Sequence, residues 1–279
     1  MINQVLTTEA SMSVLKFTVV CVAAFAIFGC DHATSTPSTE QGASAESAPD
    51  FEATKVLADS GEAKAQNQLG VLYAKGQGVT QDFAEAAKWY RLAADQGYAK
   101  AQTNLGVVYL KGEGEPQDYA EALKWCRKAA DQGDAGGQFF VGNLYAKGQG
   151  VTRDFAEAAK WIRLAAEQGF PVARNNLGIM YLKAWGLQRN DAEAAKWFRL
   201  AADQGFSMAQ NNLGRMYLNG QGVPLDLVEA YAWLSVAATG GASAAVKHRD
   251  NVARDLASDE LSKAQKRATE LLEKYGSGK

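Results

Sequence analysis

The segment Ala65-Gln66-Asn67-Gln68-Leu69-Gly70-Val71-Leu72-Tyr73-Ala74-Lys75-Gly76-Gln77-Gly78, followed by Asp82-Phe83-Ala84-Glu85-Ala86-Ala87-Lys88-Trp89, recurs along most of a 279-residue chain. Its leading alanine returns every 36 residues, at Ala101, Gly137, Ala173 and Ala209. Counting that residue as position 1, position 5 is Leu69, Leu105, Val141, Leu177 and Leu213, position 6 is always Gly, and position 9 is always Tyr. Positions 1, 5, 8 and 9 fall on one side of a helix, which predicts a first helix with one buried face. The Gly at position 6 predicts close approach by a neighbouring helix. Gly76, Gly112, Gly148 and Gly220 stand where glycine ends helices; Ala184 replaces it in the fourth unit, so either the turn differs there or the backbone is strained by about 1 kcal/mol.

A second helix starts at a repeated capping pair: Asp82 with Glu85, Asp118 with Glu121, Asp154 with Glu157, Asn190 with Glu193 and Asp226 with Glu229. Small alanines and the tryptophans at 89, 125, 161, 197 and 233 cover more than one face of it, as expected for a helix packed between its own partner and the next unit. Gly97, Gly133, Gly169, Gly205 and Gly241 close it. Stacked helix pairs, an all-α solenoid, follow from this period alone.

Other classes are disfavoured by composition. With 22% charged residues and a formal charge of −2, lysines alternate with Asp and Glu, so nucleic acid is not an expected partner. His32 and His248 lie far apart with no ligand-spaced Cys or acid beside them, so no metal site is expected. The Gly-x-Gly turns leave a helix and lack the remaining glycines of a phosphate-binding loop, and no Ser, His and Asp set is available. The chain reads as a non-enzyme without a cofactor. Cys126 occupies a position held elsewhere by Tyr90, Ile162, Phe198 and Leu234, which marks it as a packed small hydrophobe.

The N-terminus is an address. Lys16 precedes an apolar run from Phe17 to Phe28 and then Gly29-Cys30-Asp31, too short for a membrane span of about 20 residues and suited to a secretory signal. Ile27-Phe28-Gly29-Cys30 resembles the bacterial lipobox, departing from it at Phe28, where a smaller residue is usual; the resemblance implies lipid attachment at Cys30 and residues 1–29 as signal peptide. Residues 1–11 contain Glu9 and no Lys or Arg, so translation is expected to start at Met12. Asp31 resembles an inner-membrane retention signal. Residues 30–50 are a Ser, Thr and Ala tether with no apolar period, able to span about 25 Å as a flexible coil. The expected location is the periplasmic side of a bacterial envelope membrane, the inner one slightly favoured.

Ala-x-x-x-Leu-Gly-x-x-Tyr, Lys-Gly-x-Gly and Glu-Ala-x-x-Trp-x-x-x-Ala-Ala-x-x-Gly, recurring in that order over residues 65–244, resemble Sel1-like repeats, relatives of tetratricopeptide repeats. The resemblance implies a right-handed superhelix whose concave side is lined by the first helices. Residues 51–64 align with a partial repeat covering the N-terminal face, and residues 245–279 lose the landmarks and gain charge, as capping helices do.

Binding is expected on the first-helix side opposite the buried face, at positions 3, 7 and 10. Amides and aliphatics there suit an extended peptide, and Lys75, Lys111, Lys147 and Lys183, one step round, favour an acidic segment or a terminal carboxylate. The candidate groove comprises Asn67, Lys75, Lys111, Phe139, Asn143, Asn175, Lys183, Asn211 and Arg215. Phe139 and Phe140 break the pattern, either as an exposed anchor or as filling for volume lost at Gly137 and Val141; Trp185 is a second contact or packing for the altered turn. Relatives serve as envelope, secretion, signalling or host-contact scaffolds. The alternative is a cell-wall-active protein binding peptidoglycan fragments or β-lactams, whose known relatives carry paired cysteines that this chain lacks.

Overall fold

Residues 50–275 are described by the computed structural model, and every regular element among them is a helix. In chain order these are α1 (Phe51–Asp59), α2 (Ala63–Lys75), α3 (Phe83–Asp95), α4 (Ala99–Lys111), α5 (Tyr119–Asp131), α6 (Ala135–Lys147), α7 (Phe155–Glu167), α8 (Pro171–Lys183), α9 (Asp191–Ala202), α10 (Ser207–Asn219), α11 (Leu227–Thr239), α12 (Ser243–Asp255) and α13 (Ser258–Tyr275). The signal segment, Cys30 and all but the last residue of the tether lie outside the described residues. The even-numbered helices α2 to α10 are the first helices of five hairpins and the odd-numbered α3 to α11 their partners; each packs against its neighbours in sequence, building a solenoid.

Each hairpin is held by the contact the position 6 glycine allows. A Cβ on Gly70 would lie 2.7 Å from the Tyr90 ring, on Gly142 2.7 Å from Ile162, on Gly178 2.7 Å from Phe198 and on Gly214 2.8 Å from Leu234. Gly106 faces Cys126 in the same way. The partner side chain fills the notch in the first helix, so any hydrophobe of suitable reach serves there. Cys126 is accordingly fully buried, and burial, with the Asp134 charge adding to it, pushes its thiol up to about 12, which leaves it chemically inert at neutral pH.

The second helices are capped as their sequence demands. Asp82, Asp118, Asp154, Asn190 and Asp226 each accept a hydrogen bond from the backbone N–H three residues on, at 2.9–3.0 Å. The matching glutamates reach side chains: Glu85, Glu121 and Glu157 pair with Lys88, Lys124 and Lys160. At the other turn, Ala184 adopts φ 55, the same left-handed conformation as its glycine counterparts, so the turn is kept and a side chain is strained into it. Trp185 stacks on Phe155 with ring centroids 5.5 Å apart; it is packing for that turn.

The ends differ from the middle. α1 packs on α2 and leaves Val56 and Leu57 68% and 50% exposed. α12 continues the row of first helices, but α13 turns away from it and lies along α11, where Tyr275 stacks on Trp233 at 5.6 Å and Arg267 donates to Glu229 at 2.6 Å.

Candidate partner-binding groove

Successive units are joined by three side-chain ladders. The first is amide to amide. Gln66, Gln102 and Gln210, at position 2, donate to the carbonyls of Ala58, Ala94 and Ala202 at the end of the preceding second helix, at 3.1–3.2 Å. Gln66, Gln102 and Gln138 accept in turn from Gln96, Gln132 and Gln168 at 2.7–2.8 Å. In the fourth unit Arg174 takes the glutamine's place, donating to Ala166 O at 3.0 Å and Leu200 O at 3.2 Å.

A second ladder joins first helices directly. Asn104 Nδ2 donates to Asn67 Oδ1 at 2.8 Å, Asn212 Nδ2 to Asn175 Oδ1 at 2.9 Å, and His248 Nδ1 lies 3.3 Å from Asn211 Oδ1. Position 3 of one unit therefore meets position 4 of the next. In the central units the ladder changes chemistry. Thr103 donates to Asp134 at 2.8 Å, and Phe139 packs edge-on against Phe140 and Phe170 at 5.4 and 5.2 Å.

The third ladder runs from second helices. Arg91 and Arg163 donate to the hydroxyls of Tyr109 and Tyr181 in the next unit at 2.7 and 2.9 Å, while the Arg127 and Arg199 guanidinium groups lie 4.6 and 4.9 Å over the Trp161 and Trp233 rings. First helices thus meet through short amides and second helices through the longer reach of Arg over Trp. Successive first helices also pack directly on one another, as α4 on α6 and α10 on α12, so theirs is the more closely spaced row and lines the inner face.

This geometry corrects the expected groove. Asn67, Phe139 and Asn175 are buried, at 7%, 3% and 3% exposure, because position 3 turns into the seam with the next first helix and not out to solvent. Asn67 and Asn175 are seam acceptors, Asn211 is half-buried against His248, and Phe139 is no exposed anchor. Neither does Phe140 replace lost volume at Gly137: a Cβ there would sit 2.8 Å from both the Ala129 Cβ and the Ala130 nitrogen, so the backbones have closed up. The accessible inner stripe is positions 7 and 11. Arg215 and Lys183 are exposed, and Asn143, Lys75 and Lys111 half-buried. Asn143 is turned back on its own helix, donating to Phe139 O at 3.0 Å, and Lys111 pairs with Glu113 at 3.3 Å. Sequence reasoning missed the partners at position 4, Asn104, Asn212 and His248. Their signal was polar residues recurring 37 apart, one more than the repeat.

Among the described residues no cluster of His, Cys, Asp and Glu is placed to hold a metal ion, and no helix is long and apolar enough to cross a membrane. What the fold and its inner face define is a helical-repeat solenoid, a class whose repeating surface is suited to holding another molecule. The comparisons with known proteins narrow it. The Sel1 repeat matches residues 63–98, 99–134, 135–170, 171–206 and 207–241, so this chain belongs to the Sel1 repeat family. Similar solved structures include a Sel1 repeat protein from Oxalobacter formigenes, 32% identical with a TM-score of 0.68 over 79% of this chain and 90% of that one. Another is a protective antigen present in uropathogenic Escherichia coli strains and displaying an SLR fold, 30% identical with a TM-score of 0.54 over 81% of this chain; only 56% of that protein's length is spanned. No curated protein matches significantly. Sel1 repeats are generally protein-interaction scaffolds and typically non-catalytic.

Proposed function

We propose that this chain is an adaptor of the bacterial cell envelope, tethered to a membrane by a lipid on Cys30 and holding a segment of another protein along the inner face of its first helices. One observation carries the binding half of this reading. With position 3 committed to the seams, positions 7 and 11 still present side chains on the inner face, and among these Lys183 and Arg215 are exposed and make no ion pair among the described residues. The envelope half rests on Lys16, the apolar run Phe17 to Phe28 and Gly29-Cys30. No observation favours the cell-wall reading, since Cys126 is the free cysteine among the described residues and is buried.

Two measurements test the two halves. Metabolic palmitate labelling is expected for the native chain and not for Cys30→Ser; labelling of both, or of neither, overturns the anchor. For the groove, proteins captured on the native chain from its own membrane should be lost when Ile179→Glu and Arg215→Glu are combined, with circular dichroism still that of the folded chain although the melting temperature falls, because Ile179 also packs against the core. Retention of the same proteins by that variant would place their site elsewhere.

A further inference from the structure

The two layers of the solenoid carry charge differently. The five first helices, α2, α4, α6, α8 and α10, contain Lys and Arg but not one Asp or Glu. In the five second helices Asp and Glu match Lys and Arg in number, and most are paired within the helix, as Glu85 with Lys88, Glu121 with Lys124 and Glu157 with Lys160. The chain's formal charge of −2 therefore conceals a cationic inner wall backed by a neutral outer one. Lys147, Lys183 and Arg215 are exposed on that wall and form no ion pair among the described residues. A surface lined by one sign of charge attracts the opposite charge and raises its local concentration.

We infer that the inner face takes an acidic protein segment, one that alternates carboxylates with apolar side chains. This rests on the proposed groove and adds the chemistry of its occupant. The cations do not stand alone: Val107, Ile179 and Leu182, half-buried at positions 7 and 10, belong to the same row of first helices. A peptide can present carboxylates to the first set and aliphatic side chains to the second. A phosphate backbone offers no aliphatic groups for that second set, and a lipid surface is flat where this wall curves inward.

The test uses the purified full chain and a fluorescein-labelled peptide alternating Glu with Leu, beside its counterpart with every Glu replaced by Gln. Anisotropy should show the Glu peptide binding about tenfold or more tightly than the Gln peptide, with the difference shrinking as salt rises and the Debye length falls to about 3 Å at 1 M. Combining Lys147→Glu, Lys183→Glu and Arg215→Glu should remove that preference. The matched change on the outer layer, Lys88→Glu, Lys124→Glu and Lys160→Glu, alters net charge equally and should leave binding within about twofold; both variants should stay folded, since all six side chains are exposed, with the outer one melting somewhat lower because its three lysines lose their glutamate partners. Equal binding of the two peptides would overturn the acidic partner and leave the groove standing. Equal loss in both triple variants would reduce the effect to net charge and overturn it as well. Binding to phosphatidylglycerol vesicles that the Glu peptide does not compete would assign the cations to a membrane surface instead.

Discussion

The inner and outer seams of this solenoid solve the same problem with different chemistry. Along the inside, first helices are joined by neutral amides, Asn104 to Asn67 and Asn212 to Asn175, which need little reach and use no charge. Along the outside, Arg127 and Arg199 lie over Trp161 and Trp233, and the charges sit among acids that balance them. In a repeat protein each interface is a separate nearest-neighbour term, so either seam can be weakened locally. The difference teaches where function has room. A seam that holds by amides leaves Lys147, Lys183 and Arg215 outside any ion pair among the described residues, whereas one that holds by cations commits Arg127 and Arg199 to the seam itself.

The comparison breaks most severely at Trp233, which is fully buried and stacked on Tyr275. Trp233→Ala is expected to cost about 3–5 kcal/mol, and to loosen α13 because its contact with α11 loses its largest side chain. Denaturant unfolding gives the first number, and limited proteolysis should cut within residues 257–275 first. On the inner seam the expected cost is smaller: Asn175→Ala leaves Asn212 without its acceptor and should cost about 1–3 kcal/mol. A double-mutant cycle with Asn212→Ala isolates the pair. A coupling near zero would mean that the amide seam is ornamental and that apolar packing alone joins the first helices.

Most of the fold was legible because each landmark has one physical job. Glycine at position 6, Asp or Asn at the second-helix start and glycine at the turns each answer to a local steric or hydrogen-bonding demand that the residue type announces. The groove was half legible. Helical periodicity separates a buried face from the rest, but it does not say which of the remaining positions meet a neighbouring helix, because that depends on how the hairpins stack. Asn67 and Asn175 look like solvent-facing amides on a single helix and become seam residues only when the next helix is laid beside it. Phe139 misleads for the same reason: it is buried in a cluster with residues of α7 and α8 and packs on Phe170, which belongs to the turn before the following unit. The position of α13 along α11 was not readable either, since the repeat ends before it and a charged amphipathic helix can dock on any apolar end face.

The turns between layers belong to neither seam, and Ala184 tests that. Its left-handed φ of 55 carries a side chain where the other units have glycine, so Ala184→Gly should raise stability by up to about 1 kcal/mol without changing partner binding. A loss of stability would mean that the methyl group packs usefully enough against the turn to outweigh the backbone strain.

The smallest effect is at the inner seam's last rung, where His248 stands in place of the asparagine found at Asn104, Asn176 and Asn212. Burial first, and then the Arg215 and Lys247 charges, hold its pKa below the usual 6.5. The sign follows from proton counts. As pH falls through 6.5 the unfolded chain takes up a proton that the folded chain refuses, so the stability present above that pH is lost on the way down to the folded pKa. The hydrogen bond to Asn211 is not what fails, because a protonated imidazole still donates from Nδ1; the cost is a positive charge held partly out of water and beside two others. His248→Asn keeps an amide on the rung and removes the titrating group. Its melting temperature should therefore match the native chain near pH 7.5 and exceed it near pH 5.5, the pH values bracketing the ordinary histidine range. An unchanged difference between the two pH values would show that the acid sensitivity of the C-terminal end lies elsewhere than in this rung.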